Sequence, residues 1–223
     1  MKSVLFFATL LISSLVYADV EKGVQAYLDQ QYKKAYVTLK KPAEQGHSLA
    51  QLILGDIYFN GHSISQDYSK AAKWYRKSAE QGESEAQFKL GRMYEFGQGV
   101  VADFKEAIMW YRESAEQGDQ SAQSTLGDIY FNGQGVPQDY VEAAKWYRHS
   151  AEQNDNVSQR KLGNMYVNSQ GVNQDYVQAH LWFNLAAAGG DDYGAENRER
   201  IAKKMSPAQI AEAQKLAREW KPK

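Results

Sequence analysis

The sequence predicts an all-α fold, a solenoid of αα-hairpins built from about four 36-residue repeats, and three observations carry that expectation. Unrelated residue types recur in one common step: Gly55, Gly91, Gly127 and Gly163; Trp74, Trp110, Trp146 and Trp182; Tyr58, Tyr94, Tyr130 and Tyr166; Asp67, Asp103, Asp139 and Asp175; Ala71, Ala107, Ala143 and Ala179. Within each step, apolar residues fall at helical three-and-four spacing on both sides of a glycine-containing break. Cysteine is absent, so packing alone must hold the fold, without disulfides or thiolate metal sites. A fixed period of roughly 20 to 50 residues marks a unit that buries its apolar face only by stacking on its neighbours.

Residues 1–18 differ in character from the rest of the chain. Lys2 gives a short positive end, Val4 to Val16 is apolar, and Val16-Tyr17-Ala18 places small residues ahead of Asp19. This is the pattern of a secretory signal peptide, cleaved after Ala18. It falls short of the roughly 20 apolar residues that span a bilayer, so no stable membrane anchor is expected. The expected destination is the periplasm or the exterior. Residues 19–46 read as an N-terminal partial repeat, in which Tyr32, Ala35, Ala43 and Glu44-Gln45-Gly46 align with Tyr68, Ala71, Ala79 and Glu80-Gln81-Gly82.

The four repeats occupy 47–190, and the third shows the expected unit. Ser121 to Phe131 carries Ala122, Leu126, Ile129 and Tyr130 at helical spacing. Asn132-Gly133-Gln134-Gly135-Val136-Pro137 ends that helix, since glycine accepts positive φ and proline cannot continue the turn. Asp139 is the expected N-cap of a second helix that carries Ala143, Ala144, Trp146, Tyr147 and Ala151 and stops at Asn154. A mid-helix glycine costs about 1 kcal/mol against alanine, so Gly127 predicts a close helix crossing, with Ala143 opposite it. Trp146 and Tyr147 are expected between one hairpin and the next. Past Gly190 the pattern stops. Asp192 to Lys204 reads as a polar helix and Ser206-Pro207 as the capped start of another through Trp220, so 191–223 is expected to cover the last apolar face.

The order Ala-x-x-x-Leu-Gly-x-x-Tyr, Gly-x-Gly-Val, Asp-Tyr-x-x-Ala-x-x-Trp-Tyr, Ala-Glu-Gln-Gly resembles the Sel1-like repeat family, relatives of the tetratricopeptide repeats. Leu90-Gly91-Arg92-Met93-Tyr94, Gly97-Gln98-Gly99-Val100 and Ala107-Ile108-Met109-Trp110-Tyr111 carry it most fully. The first and fourth repeats depart from it at Gly61-His62-Ser63-Ile64 and at Ser169-Gln170-Gly171-Val172, with Asn154 replacing a glycine. The resemblance implies a right-handed superhelix and an adaptor or scaffold role, several members being exported by bacteria. One exported subset, with paired cysteines in each repeat, is associated with β-lactam or cell-wall-peptide binding. The lack of cysteine separates this chain from that subset, and binding or hydrolysis of cell-wall fragments, peptidoglycan or β-lactam, stands as the alternative function.

If the first helices line the inner curve, as in related solenoids, helical geometry predicts a partner-binding stripe on the concave face. It comprises Leu52, Asp56 and Phe59, then Phe88, Arg92 and Glu95, then Asp128 and Phe131, then Arg160 and Asn164. Aromatic residues beside arginine suit a protein or peptide partner. The 26 basic and 27 acidic residues leave a net charge of -1 with no run of one sign, which argues against nucleic acid. The four histidines fall at different repeat positions, and no His-Glu-x-x-His, Gly-x-Ser-x-Gly or phosphate-cradling glycine loop occurs. A non-catalytic protein without metal or cofactor is therefore expected.

Overall fold

The computed structural model describes residues 17–222, and over them the chain is helical, without strands. Residues 1–16, which hold nearly all of the expected signal peptide, lie outside the described residues. Helix α1 covers 17–28. It is followed by α2 (Tyr32–Glu44), α3 (Ser48–Asn60), α4 (Tyr68–Ala79), α5 (Ser84–Phe96), α6 (Phe104–Glu116), α7 (Gln120–Asn132), α8 (Tyr140–Glu152), α9 (Asn156–Asn168), α10 (Tyr176–Ala188), α11 (Asp192–Ala202) and α12 (Pro207–Glu219). The chain divides into two compact units between Ser114 and Ala115. In the first, α2 packs on α3, α3 on α4 and α4 on α5; in the second, α7, α8, α9 and α10 pack in succession and α11 and α12 close on α10.

Helix boundaries follow local chemistry. Asp67, Asp139 and Asp175 cap α4, α8 and α10 by accepting N–H donors of the first turn, and Asp103 does the same for Lys105 and Glu106. Each cap satisfies donors that the helix start leaves without partners. The same aspartates donate their own N–H to the carbonyls of Tyr58, Tyr94, Tyr130 and Tyr166, which closes each loop. Gly133 ends α7 at φ 70°, and Asn154 takes a glycine's place at φ 68°. Ser206 and Gln209 form the reciprocal capping box of α12.

The close crossing expected at Gly127 is filled first by the Tyr147 ring, which a Cβ there would meet at 2.4 Å, and at the matching Gly91 the carbonyl of Ala107, the counterpart of Ala143, is also within 3.1 Å. Gly55 and Gly91 sit under Tyr75 and Tyr111 in the same way, and Gly163 under Phe183. The tyrosine thus covers the glycine of its own hairpin and also packs, as expected, against the next one: Tyr147 clusters with Leu162 and Met165, and Tyr75 with Leu90 and Met93. Tryptophan bridges neighbours as anticipated: Trp110 shares a core cluster with Ala72 and Tyr75 of the preceding hairpin, and Trp182 with Ala144 and Tyr147.

The N-terminal segment carries two helices. Helices α1 and α2 form a full pair, with Leu39 lying where a Cβ on Gly23 would be. Residues 29–31 join them, whereas 61–67 join α3 to α4, so the glycine falls out of the common step. At the other end α12 buries Ala213, and Trp220 lies edge-on to Trp182 at 4.9 Å.

Candidate functional site

The first unit holds a cavity of about 180 Å³ lined by Asp56, Phe59, Asn60, Tyr75, Lys89, Arg92 and Gln98. Its floor is a carboxylate: the Asp56 side chain is 9% exposed. It accepts hydrogen bonds from the Tyr75 hydroxyl at 2.7 Å and the Tyr27 hydroxyl at 3.2 Å. Lys89 Nζ lies 2.6 Å from it and 2.7 Å from Glu85. An ionised group taken out of water needs this many partners, because burial removes hydration that one contact does not replace. Burial, then the charge of Asp56, push the Tyr75 and Tyr27 phenols far above their ordinary range, so both remain donors. Burial alone would lower Lys89, but Asp56 and Glu85 outweigh it and hold the ammonium above its usual value.

The arrangement recurs two repeats later. Asp128 accepts from the Tyr147 hydroxyl at 2.5 Å, and Lys161 Nζ lies 2.5 Å away. Phe131, Asn132, Tyr147, Lys161 and Gln170 repeat the residue types of Phe59, Asn60, Tyr75, Lys89 and Gln98, while Asn164 stands where the first copy has Arg92. A second contact doubles in the same way, with Arg76 donating to the Tyr94 hydroxyl and Arg148 to the Tyr166 hydroxyl. The second and fourth repeats differ: Glu95 accepts from Tyr111 at 2.5 Å, and the fourth has Phe183 in place of the tyrosine.

The expected stripe divides on inspection. Leu52 is 3% exposed and packed with Tyr75 and Leu90, so it offers nothing to a partner and is a core residue. Phe59 and Phe131 are half-buried against Tyr68 and Tyr75, and against Tyr140 and Tyr147. Phe88 leans on Tyr111. Arg160 is held by Asp191 at 2.9 Å, and Asn164 accepts from Asn197. Arg92 is exposed, over the Phe96 ring at 5.8 Å. Asp56, Phe59 and Arg92 thus come together in one cavity. Sequence reasoning missed Tyr75, Lys89 and Gln98. The recoverable signal was the 33-residue separation of Asp56 from Lys89, repeated between Asp128 and Lys161.

Among the described residues no three His, Asp or Glu side chains gather to hold a metal. The fold and the cavity define a class: an array of stacked helical hairpins whose first helices present side-chain-sized recesses. The chain belongs to the Sel1 repeat family, whose model matches residues 48–83, 84–119, 120–155 and 156–191. It is similar in structure to a Sel1 repeat protein from Oxalobacter formigenes, 30% identical, with 90% of this chain and 82% of that chain covered and a TM-score of 0.77. A protective antigen present in uropathogenic Escherichia coli strains, displaying an SLR fold, is 34% identical, covering 92% of this chain and 53% of that chain, with a TM-score of 0.57. A Sel1 repeat protein from Klebsiella pneumoniae is 25% identical, covering 84% and 93%, with a TM-score of 0.53. No curated protein matches the chain. Sel1 repeat proteins are in general non-catalytic scaffolds for protein–protein interaction.

Proposed function

We propose that this protein is an exported, non-catalytic adaptor that captures a protein or peptide segment on the face of its first helices. The observation that carries the proposal is the cavity of the first unit. It joins an apolar wall, Phe59, to a fixed polar floor and to an exposed arginine, the combination that peptide-recognition surfaces use for anchoring and orientation. Export rests on the leader pattern of residues 1–18. Among the described residues no helix is long and apolar enough to cross a membrane.

Site-specific photo-crosslinking in the native host tests both parts. A crosslinker at Asn60, on the rim of the cavity, should trap a discrete protein adduct, while one at the exposed Lys73 of α4 should not. Equal labelling from both positions would remove the first-helix face from the proposal. Mass spectrometry of the same material should find an N-terminus at Asp19, and an intact leader on the mature protein would end the export claim.

A further inference from the structure

We propose that Arg92 makes the cavity of the first unit a receptor for an acidic side chain, Asp or Glu, within an extended segment of the partner. This rests on the adaptor function proposed above and adds the chemistry of its ligand.

Size sets the first limit. Pockets for drug-sized ligands run from roughly 300 to 1,000 Å³, and a water takes about 30 Å³ in the liquid. A cavity of about 180 Å³ therefore admits one side chain, not a folded element. Charge sets the second. Asp56 is satisfied by Lys89 and two tyrosines. Lys89 is shared between Asp56 and Glu85, and Glu95, one turn beyond Arg92, accepts from Tyr111. Arg92 has no ion pair or hydrogen bond among the described residues. Asp56, Glu85 and Lys89 thus answer one another, and among the described residues the exposed guanidinium is the cavity-lining charge left without a carboxylate partner.

Orientation is the third element. The guanidinium lies over the Phe96 ring, which limits its freedom before any ligand arrives and leaves its N–H fork available. That fork matches a carboxylate with two parallel hydrogen bonds, which an ammonium does not reproduce. The second copy supplies an internal contrast. Its counterpart residue, Asn164, is neutral and already accepts from Asn197, so the preference belongs to the first cavity alone.

The test is selection of a displayed library of short random peptides on the full chain, beside Arg92→Asn and Arg92→Glu variants. Because Arg92 is exposed, both variants should keep the parental melting temperature. The parent should enrich sequences with Asp or Glu at one fixed position, and Arg92→Asn should weaken a selected peptide by about tenfold, the effect of losing a charge-assisted pair. Arg92→Glu should exchange the acidic preference for Lys or Arg. Enriched peptides with no acidic position, bound equally by all three proteins, would overturn the inference and leave the adaptor function standing. Failure of every protein to enrich any peptide would overturn both.

Discussion

The carboxylates of Asp56 and Asp128 sit in matching stretches, Leu-Gly-Asp-Ile-Tyr-Phe-Asn at 54–60 and at 126–132. Each meets a tyrosine hydroxyl and a lysine from the next hairpin. Yet the Asp56 side chain is 9% exposed and the Asp128 side chain 41%. Asp56 also accepts from Tyr27, and its lysine is shared with Glu85, where the second copy has Val157. The same local sequence therefore yields a buried electrostatic pin in one place and a half-exposed ion pair in the other. Repetition sets the backbone and the packing, while the few residues that break it set the dielectric surroundings.

The largest expected effect lies in that difference. Asp56→Ala should cost about 3 kcal/mol, the lower end for breaking a buried pair, because it strands Lys89 and two phenols. Asp128→Ala should cost about 1 kcal/mol, since its partners can turn to water. Chemical denaturation of both variants gives the comparison, and equal losses would break it. Glycine replacement sharpens it from the other side. Gly55→Ala and Gly127→Ala place a Cβ 2.4 Å from Tyr75 and Tyr147, respectively. Each should lose about 2 kcal/mol by overpacking, and matched losses would show that the two hairpins pack alike while their charges differ.

The smallest effect is one of pH. His180 is 3% exposed in α10, where earlier repeats have Ala72, Ile108 and Ala144. Burial, then the charge of Arg198, hold its imidazole below the ordinary value of 6.5. The folded state thus favours the neutral ring. Its contribution is complete above 6.5 and is lost as pH falls from there toward the depressed folded value. Amide exchange in α10, corrected for intrinsic rate, should quicken between about pH 7.5 and pH 5.5. His180→Ala should remove that step.

Much of the fold was legible because its cues are local. The common step, the aspartate caps, the breaks at Gly133 and Asn154 and the Ser206 box each act within a few residues of chain. The tyrosine over glycine was not legible, since spacing alone does not say which side of a helix pair a ring enters. Leu52 was misplaced for a related reason: α3 is buried at every position from Ala50 to Ile57, so counting residues away from one apolar face finds no free face there. Helix α1 escaped detection because its short connection shifts Gly23 out of step. The site was visible only in part, Asp56, Phe59 and Arg92 from helical geometry, but Lys89 from no periodicity within a single helix.

The Asp–Lys tie skips every other repeat, and this bears on how such an array can change length. Loss of one repeat, residues 84–119, would bring Thr125 to the position that Lys89 holds and leave Asp56 facing a neutral hydroxyl. Loss of two, residues 84–155, would bring Lys161 there and restore the match. The hairpin is the repeating unit of the backbone, but only a change by pairs of hairpins keeps the buried Asp56 opposite a lysine.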